Sequence, residues 1–210
     1  MKPLIVANWK MNPTTLKEAK FLFDKVKSIG AVICPPFVYV PVLKSNGAQD
    51  VFWEDAGAFT GEISPPMLKD LGVKYVIIGH SERRKHQKET NEMIDKKIKA
   101  TMAVGLKPIL CIDKISQIPK GIKKGLIIAY EPLFAIGTGK ACSPEKARRM
   151  MVSIKKVAGV KTPILYGGSV NSQNARSYIK EASFQGLLVG GASLKPKEFI
   201  DIVKKACYLR

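Results

Sequence analysis

The sequence predicts an α/β fold in which parallel β-strands alternate with helices. Short runs rich in Val, Ile and Leu recur along the chain without polar alternation, which is typical of parallel strands covered on both faces. Amphipathic helical patterns separate these runs. No linker, low-complexity segment or change of composition interrupts the alternation, so we expect one domain over residues 1–210.

Eight runs are candidate strands. Seven are strongly apolar, and the eighth, at 47–51, is weaker and is inferred partly from its place between two helical segments. In chain order the runs are 4–8, 31–34, 47–51, 75–79, 108–112, 126–130, 164–167 and 186–190.

Five helices are predicted between these strands. The first has one broad apolar face that includes Leu16, Leu22 and Val26. Another begins with Ser143 as its N-cap and Pro144 at its first position, which are favoured residues there. The helical segments are 14–28, 90–103, the segment that follows Ser143, 171–182 and 195–207.

Two architectures fit this alternation, a closed (βα)8 barrel and an open doubly wound sheet. Strands of about 5, helices of about 11 and loops of about 4 residues require roughly 190 residues. A barrel of about 250 residues is typical, so a barrel fits tightly and its crossovers must be shortened. The segment 113–125 contains Pro119, Gly121 and Gly125 and is short, so the fifth helix is expected to be missing. Periodicity favours the barrel and leaves the open sheet as the alternative.

The charge of the chain allows two interpretations. Lys and Arg number 35 against 17 Asp and Glu, a formal net charge of +18. Such a chain either binds a polyanion or has a solvated lysine surface that attracts small anionic substrates. The longest basic cluster, 83–88, has no interleaved aromatic residues, so no specific nucleic-acid binding is expected. No apolar run approaches the ~20 residues of a membrane-spanning helix, and no membrane association is expected.

The four cysteines are widely spaced and form no CxxC pair. This pattern fits neither a zinc site nor the disulfide framework of a small secreted protein. We therefore expect reduced thiols and a cytoplasmic location. The cysteines are Cys34, Cys111, Cys142 and Cys207.

Polar side chains follow the carboxyl ends of several predicted strands, where parallel α/β proteins place their active sites. Asn8 and Lys10 follow the first strand, His80 the fourth, Glu131 the sixth and Ser169 the seventh. Each has an ordinary explanation alone, such as a surface lysine or a core histidine. Together at one mouth, a carboxylate, an imidazole and an ammonium suit proton transfer beside a carbonyl.

Two glycine pairs follow the last two strands. Gly167-Gly168 and Gly190-Gly191 each precede a helical segment. Glycine lets the backbone approach a ligand closely, and N–H groups at a helix start favour a phosphate. Each pair alone is equally typical of a tight turn, but their position matches the phosphate site of many barrels.

Six motifs, in order, together with a loop at 57–64, resemble those of the triosephosphate isomerase family. The motifs are NWKMN at 8–12, GHSERR at 79–84, AYEP at 129–132, AIGTGK at 135–140, YGGSV at 166–170 and GLLVGGASL at 186–194; the loop reads GAFTGEIS. The resemblance implies a closed TIM barrel that interconverts dihydroxyacetone phosphate and D-glyceraldehyde 3-phosphate in glycolysis and gluconeogenesis, without a metal or organic cofactor. The alternative is a catalytically idle barrel that binds phosphorylated ligands or nucleic acid through its basic surface.

The resemblance also implies roles for individual residues. Glu131 corresponds to the base, His80 to the neutral electrophile and Lys10 to the cation that stabilises the enediolate, while Asn8 helps to orient the site. The expected phosphate-holding residues are Gly137, Ser169, Gly190 and Gly191.

A lid over the substrate is implied as well. In the closed lid we expect hydrogen bonds from Tyr166 to the backbone of Cys142 and from Ser169 to the backbone of Gly139. The lid residues are Pro132, Leu133, Phe134, Ala135, Ile136, Gly137, Thr138, Gly139 and Lys140.

The chain departs from the family pattern at several positions. Phe134 stands where the family usually has Trp, and Asp50 where it usually has Asn. A missing fifth helix would leave an apolar flank open to an oligomer contact.

A homo-oligomer, at least a dimer, is expected from the loop between Gln49 and Ser64. Phe52, Trp53 and Phe59 give this loop an apolar surface, which is typical of an interface. In the family, this loop enters a neighbouring subunit, and Thr60 would then approach the partner's active-site lysine. The alternative is that the aromatic residues pack on their own barrel.

Overall fold

The computed structural model describes residues 2–121, 125–136 and 140–207. Within them, eight parallel strands form one sheet that curls into a barrel. The strands are β1 (Leu4–Asn8), β2 (Val32–Cys34), β3 (Gly47–Ala48), β4 (Tyr75–Ile78), β5 (Lys107–Ile112), β6 (Ile127–Tyr130), β7 (Ile164–Tyr166) and β8 (Gly186–Val189).

The helices lie between the strands. They are α1 (Leu16–Val26), α2 (Val40–Leu43), α3 (Pro65–Asp70), α4 (Ser81–His86), α5 (Asn91–Ala103), α6 (Pro144–Ala158), α7 (Ala175–Lys180) and α8 (Pro196–Cys207). Short 3-10 turns add Phe37–Tyr39, Ile115–Gln117, Leu133–Ala135 and Gly191–Leu194.

The strand order, β2-β1-β8-β7-β6-β5-β4-β3, is that of a barrel opened at the seam between β2 and β3. That seam is held by side chains, since Asn46 Oδ1 accepts a hydrogen bond from Ile33 N at 3.0 Å. A Cβ at Gly47 would lie 2.5 Å from Cys34 Sγ, so only glycine allows this approach. The prediction of a (βα)8 barrel with shortened crossovers is therefore confirmed.

The core has two layers. One set of alternate strand residues fills the barrel interior, and the other set packs outward against the helices, as the period of two requires. The interior set is Val6, Val32, Cys34, Ile77, Ile109, Cys111, Ile127, Ala129, Leu165 and Leu188.

The β5–β6 connection replaces a crossover helix with a short strap. Its described residues contain one 3-10 turn, Ile115–Gln117, which agrees with the predicted loss of the fifth helix. Ile118 of the strap is 8% exposed and packs in the outer core, where Leu110 and Ile128 are fully buried. Leu110 and Ile128 are therefore covered within the chain, so the expectation of an open apolar flank is wrong at these positions.

All four cysteines are free, which agrees with the prediction of unpaired thiols. Among the helices that the structure describes, none has both the length and the apolar character needed to cross a membrane.

Candidate active site

Lys10 follows β1 in a conformation that residues other than glycine rarely adopt, with φ of 55°. Two side-chain amides hold it there. Its N–H donates to Asn8 Oδ1 at 3.0 Å, and its carbonyl accepts from Gln49 Nε2 at 2.8 Å. The Gln49 amide also donates to the Cys34 carbonyl at 2.9 Å. The ends of three strands thus fix one lysine, whose Nζ lies 2.5 Å from Glu82 Oε1.

His80 ends the loop after β4 and caps α4. Its Nδ1 accepts a hydrogen bond from Glu82 N at 3.3 Å, and its Nε2 lies 3.1 Å from Glu131 Oε1. These partners assign the proton of the neutral ring to Nε2. Burial lowers the pKa of His80, but the Glu131 carboxylate outweighs burial and holds this pKa above its ordinary value.

Glu131 follows β6 and is 2% exposed. Its backbone N–H donates to the Ile112 carbonyl at 2.8 Å, which fixes the start of the side chain at the strand end. A Cβ at Gly167 would lie 2.9 Å from Glu131 Cγ, so this glycine makes room for the carboxylate. Glu131 Oε2 is buried and accepts no hydrogen bond from the part of the chain that the structure describes. A buried carboxylate oxygen without a donor is costly.

These side chains share one cavity of about 280 Å³ at the carboxyl end of the barrel. Ile136, Val170 and Leu188 also line it. Gly190 lies beside Lys10, since a Cβ there would be in van der Waals contact with Lys10 Cε at 3.4 Å. Of the predicted site residues, the cavity brings together Asn8, Lys10, His80, Glu131, Ser169, Gly190 and Gly191. Gly137 lies outside the described residues.

The predicted lid is described at Pro132, Leu133, Phe134, Ala135, Ile136 and Lys140, while Thr138 and Gly139 lie outside the described residues with Gly137. Ser169 Oγ donates to the Ala135 carbonyl. The expected contact between Tyr166 and Cys142 is present, with Cys142 N donating to Tyr166 Oη at 3.1 Å. The Ser169–Gly139 contact falls outside the described residues.

Two residues of the site were not predicted. Gln49 clamps the Lys10 backbone, and Glu82 pairs with the Lys10 ammonium. A signal for Glu82 existed, because it lies two residues after His80 at the start of a helix on the same edge of the barrel. Gln49 gave no such signal, since its role depends on β2 and β3 meeting beside β1.

A buried cluster of ions adjoins this edge. Lys97 Nζ lies 2.8 Å from Asp50 Oδ2 and 2.5 Å from Glu89 Oε1. Arg83 contacts the same two carboxylates at 2.7 and 2.6 Å. Burial raises the pKa of Asp50 to about 6 against the pull of Lys97. Burial also acts on Glu89, but hydrogen bonds from Lys97 and Arg83 hold its pKa below the usual range.

The loop between Gln49 and Ser64 keeps its aromatic residues together. Phe52 lies 4.1 Å from Trp53 and 4.8 Å from Phe59 between ring centroids. Its tip, which carries Thr60, is exposed. The rings therefore contact one another within the loop, while Phe59 and the tip face outward.

Chemically, the cavity holds a buried carboxylate, an imidazole and an ammonium around one small volume. Such a set can remove a proton from carbon beside a carbonyl and stabilise the resulting oxyanion. Glycines of the turns after β7 and β8 line the same volume, so a ligand can approach the backbone closely there.

Comparison with known proteins gives one family. The family model described as triosephosphate isomerase matches residues 3–206. The triosephosphate isomerase of Dehalococcoides mccartyi is 41% identical over 252 aligned residues that cover all of both chains. Those of Dictyoglomus turgidum and Dictyoglomus thermophilum are 42% and 43% identical over 246 aligned residues, covering 97% of this chain and 99% of each relative.

Proposed function

Because the chain belongs to the triosephosphate isomerase family, we propose that it interconverts dihydroxyacetone phosphate and D-glyceraldehyde 3-phosphate through an enediolate, with Glu131 as the base. The observation that carries the assignment of Glu131 is its buried Oε2, which lacks a donor among the described residues, in the cavity beside His80. This oxygen takes a proton from the carbon beside the carbonyl and returns it to the neighbouring carbon.

His80 and Lys10 act on the oxygens of the substrate. The Nε2 proton of His80 goes to the carbonyl oxygen, and the same nitrogen then takes the proton of the neighbouring hydroxyl. Proton uptake by Glu131 removes the charge that raises the pKa of His80, and burial then favours the neutral ring that this exchange needs. The Lys10 ammonium stabilises the negative charge that develops between these steps.

The phosphate is held at the turns after β7 and β8. Ser169 contributes a hydroxyl, and Gly190 and Gly191 contribute backbone close to the cavity. Gly137 belongs to the same proposal through the family resemblance. Closure of the lid matters because an enediolate phosphate exposed to water can lose its phosphate.

The experiment is a coupled isomerase assay of the wild type and Glu131→Gln. The amide keeps the size of the side chain and removes its basicity, so turnover should fall by about 100- to 10,000-fold. Glu145→Gln is the matched control, because Glu145 is exposed in the first turn of α6, and it should keep wild-type turnover.

Two results would contradict the proposal. Near-normal turnover of a folded Glu131→Gln protein would remove Glu131 from the role of base. A wild type without isomerase activity would favour the idle, ligand-binding barrel.

We also propose a homodimer formed through the loop between Gln49 and Ser64. A second cavity of about 340 Å³ lies beside the active site and is lined by Lys10, Met11, Phe37 and Arg83, among others. Met11 is 88% exposed, which is unfavourable for an isolated chain. This socket, defined by those four residues, suits the tip of a second copy's loop.

Charge supports this pairing. Between positions 49 and 64 the loop contains Asp50, Glu54, Asp55 and Glu62 and no Lys or Arg, although the whole chain is strongly basic. The exposed carboxylates of this loop, Glu54, Asp55 and Glu62, are electrostatically complementary to a strongly basic second copy. The free cysteines support a cytoplasmic location, which belongs to the same proposal.

A further inference from the structure

Cys142 lies between the lid and α6, and its backbone is held on both sides by buried tyrosines. Its N–H donates to Tyr166 Oη at 3.1 Å, and its carbonyl accepts from Tyr178 Oη at 2.5 Å. Ser143, the next residue, is the N-cap of α6. Cys142 is therefore the last residue before the rigid helix and the position where the lid is anchored at its carboxyl end.

The two tyrosines act as one unit. Their rings stack with centroids 3.7 Å apart at an interplanar angle of 17°. Each hydroxyl bonds the backbone of the same residue, Cys142, so the stacked pair holds both its N–H and its carbonyl.

The result is a clamp on the backbone of Cys142. Its N–H donates to the Tyr166 hydroxyl, and its carbonyl accepts from the Tyr178 hydroxyl. Both tyrosines are buried, so these bonds act in a medium of low polarity. Removal of the Tyr178 hydroxyl would leave the carbonyl without that partner.

This clamp couples the lid to the phosphate turn. Tyr166 ends β7 and Tyr178 lies in α7, and the turn with Ser169 joins these two elements. At the other end of the lid, Ser169 donates to the Ala135 carbonyl. A Cβ at Gly168 would lie 2.8 Å from Tyr166 Oη and 3.1 Å from Ala135 Cβ, so both ends of the lid meet at this turn.

We propose that Tyr178 is a positioning residue of the lid, which holds the Cys142 hinge in register with the phosphate turn so that the lid closes fully over substrate. The inference rests on the proposed isomerase function. Tyr178 touches no reacting atom, and it acts through Cys142 and Tyr166.

The test is Tyr178→Phe, which keeps the ring and its stacking and removes only the hydroxyl. Loss of one hydrogen bond should change lid closure by about 2- to 12-fold. We expect kcat/KM to fall within that range, with KM rising more than kcat falls. The share of turnovers that release inorganic phosphate should rise at least about twofold, because an incompletely closed lid admits water.

Tyr39→Phe is the matched control. Tyr39 Oη also donates to a backbone carbonyl, that of Pro13, at 3.1 Å, and it contacts no part of the lid that the structure describes. This variant should lose similar stability and keep the wild-type share of phosphate release. An unchanged share in Tyr178→Phe, or an equal rise in both variants, would overturn the proposal.

A second measurement does not depend on isomerisation. Phe134→Trp places a fluorescent reporter on the lid, and glycerol 3-phosphate serves as an unreactive probe. Fluorescence relaxation after a temperature jump should show faster lid opening when Tyr178→Phe is added to this background. Equal opening rates would refute the role of Tyr178, whereas a wild type without isomerase activity would refute only the proposed function.

Discussion

Two buried carboxylates, Asp50 and Glu89, share the charges of Lys97 and Arg83 beside the active site. They respond to this environment in opposite ways. Asp50 is 4% exposed, and its desolvation exceeds the attraction of Lys97, whereas hydrogen bonds to two cations dominate at Glu89. The pH dependence of stability should therefore separate the two groups.

At Asp50 the direction in which stability changes with pH follows from the raised pKa of about 6. The folded chain holds the carboxyl proton of Asp50 more tightly than the unfolded chain does. The contribution of Asp50 to the free energy of unfolding is therefore greatest below about pH 4. It is lost as the pH rises to about 6. Asp50→Asn removes this loss. Between pH 4 and pH 7 the free energy of unfolding of the variant should therefore rise by up to about 3 kcal/mol relative to that of the wild type.

Urea unfolding of both proteins at several pH values checks this prediction. Asp24→Asn is the control, because the exposed Asp24 forms only a surface pair with Lys27. If the wild type instead became more stable relative to Asp50→Asn as the pH rises, the ion pairs of Asp50 would outweigh the cost of its burial.

The catalytic candidates could be found from sequence because each follows a visible apolar run. Glu131 and His80 stand one and two residues past the last strand residue, and a parallel sheet gathers such ends at one edge. Their partners were harder to find. The clamp by Gln49 and the cluster around Asp50 depend on contacts across the β2–β3 seam and on loop geometry, which a linear pattern does not contain.

At the level of elements, the strap between β5 and β6 does the work of a helix. Ile118 should contribute much of the stability that the strap provides, because its side chain is nearly buried in the outer core. We expect Ile118→Ala to lower the free energy of unfolding by about 2–5 kcal/mol. Val160→Ala, at a residue that is 76% exposed, should change it by less than about 0.5 kcal/mol.

Urea unfolding at one fixed protein concentration measures both variants, since oligomerisation would otherwise shift the midpoint. A cost below about 1 kcal/mol for Ile118→Ala would mean that the strap lies loosely on the barrel and that other residues shield β5 and β6.

The long amphipathic helices α1, α5, α6 and α8 were predicted within a few residues, because burial imposes a clear apolar stripe on each. The short helices α2, α3 and α4 were missed. None of the six residues of α4 is buried, so this helix has no apolar stripe to detect. α3 has the sequence signals of a helix start, an N-cap at Ser64 and a proline at Pro65, but only six residues follow.

Across the whole molecule, many of the positive charges lie at the carboxyl ends of helices. Lysines occupy the last turns of α1, α3, α6, α7 and α8, where they interact favourably with the negative ends of the helix dipoles. These turns lie at the amino-terminal side of the barrel, away from the cavity. The loop between Gln49 and Ser64 is acidic and lies at the opposite side, which makes it the electrostatic complement of a basic chain.

Thr60→Arg tests whether that loop joins two copies. The new guanidinium would stand at the exposed tip and approach the partner's Lys10, so a contact without charge repulsion would become a repulsive one. We expect the dissociation constant of the dimer to rise by at least about tenfold, and activity to fall with the dimer fraction. Val160→Arg adds the same charge at the amino-terminal side and should leave assembly and turnover unchanged. Analytical ultracentrifugation at the assay concentration measures the assembly, and a wild type that is fully active as a monomer would remove the loop from the interface.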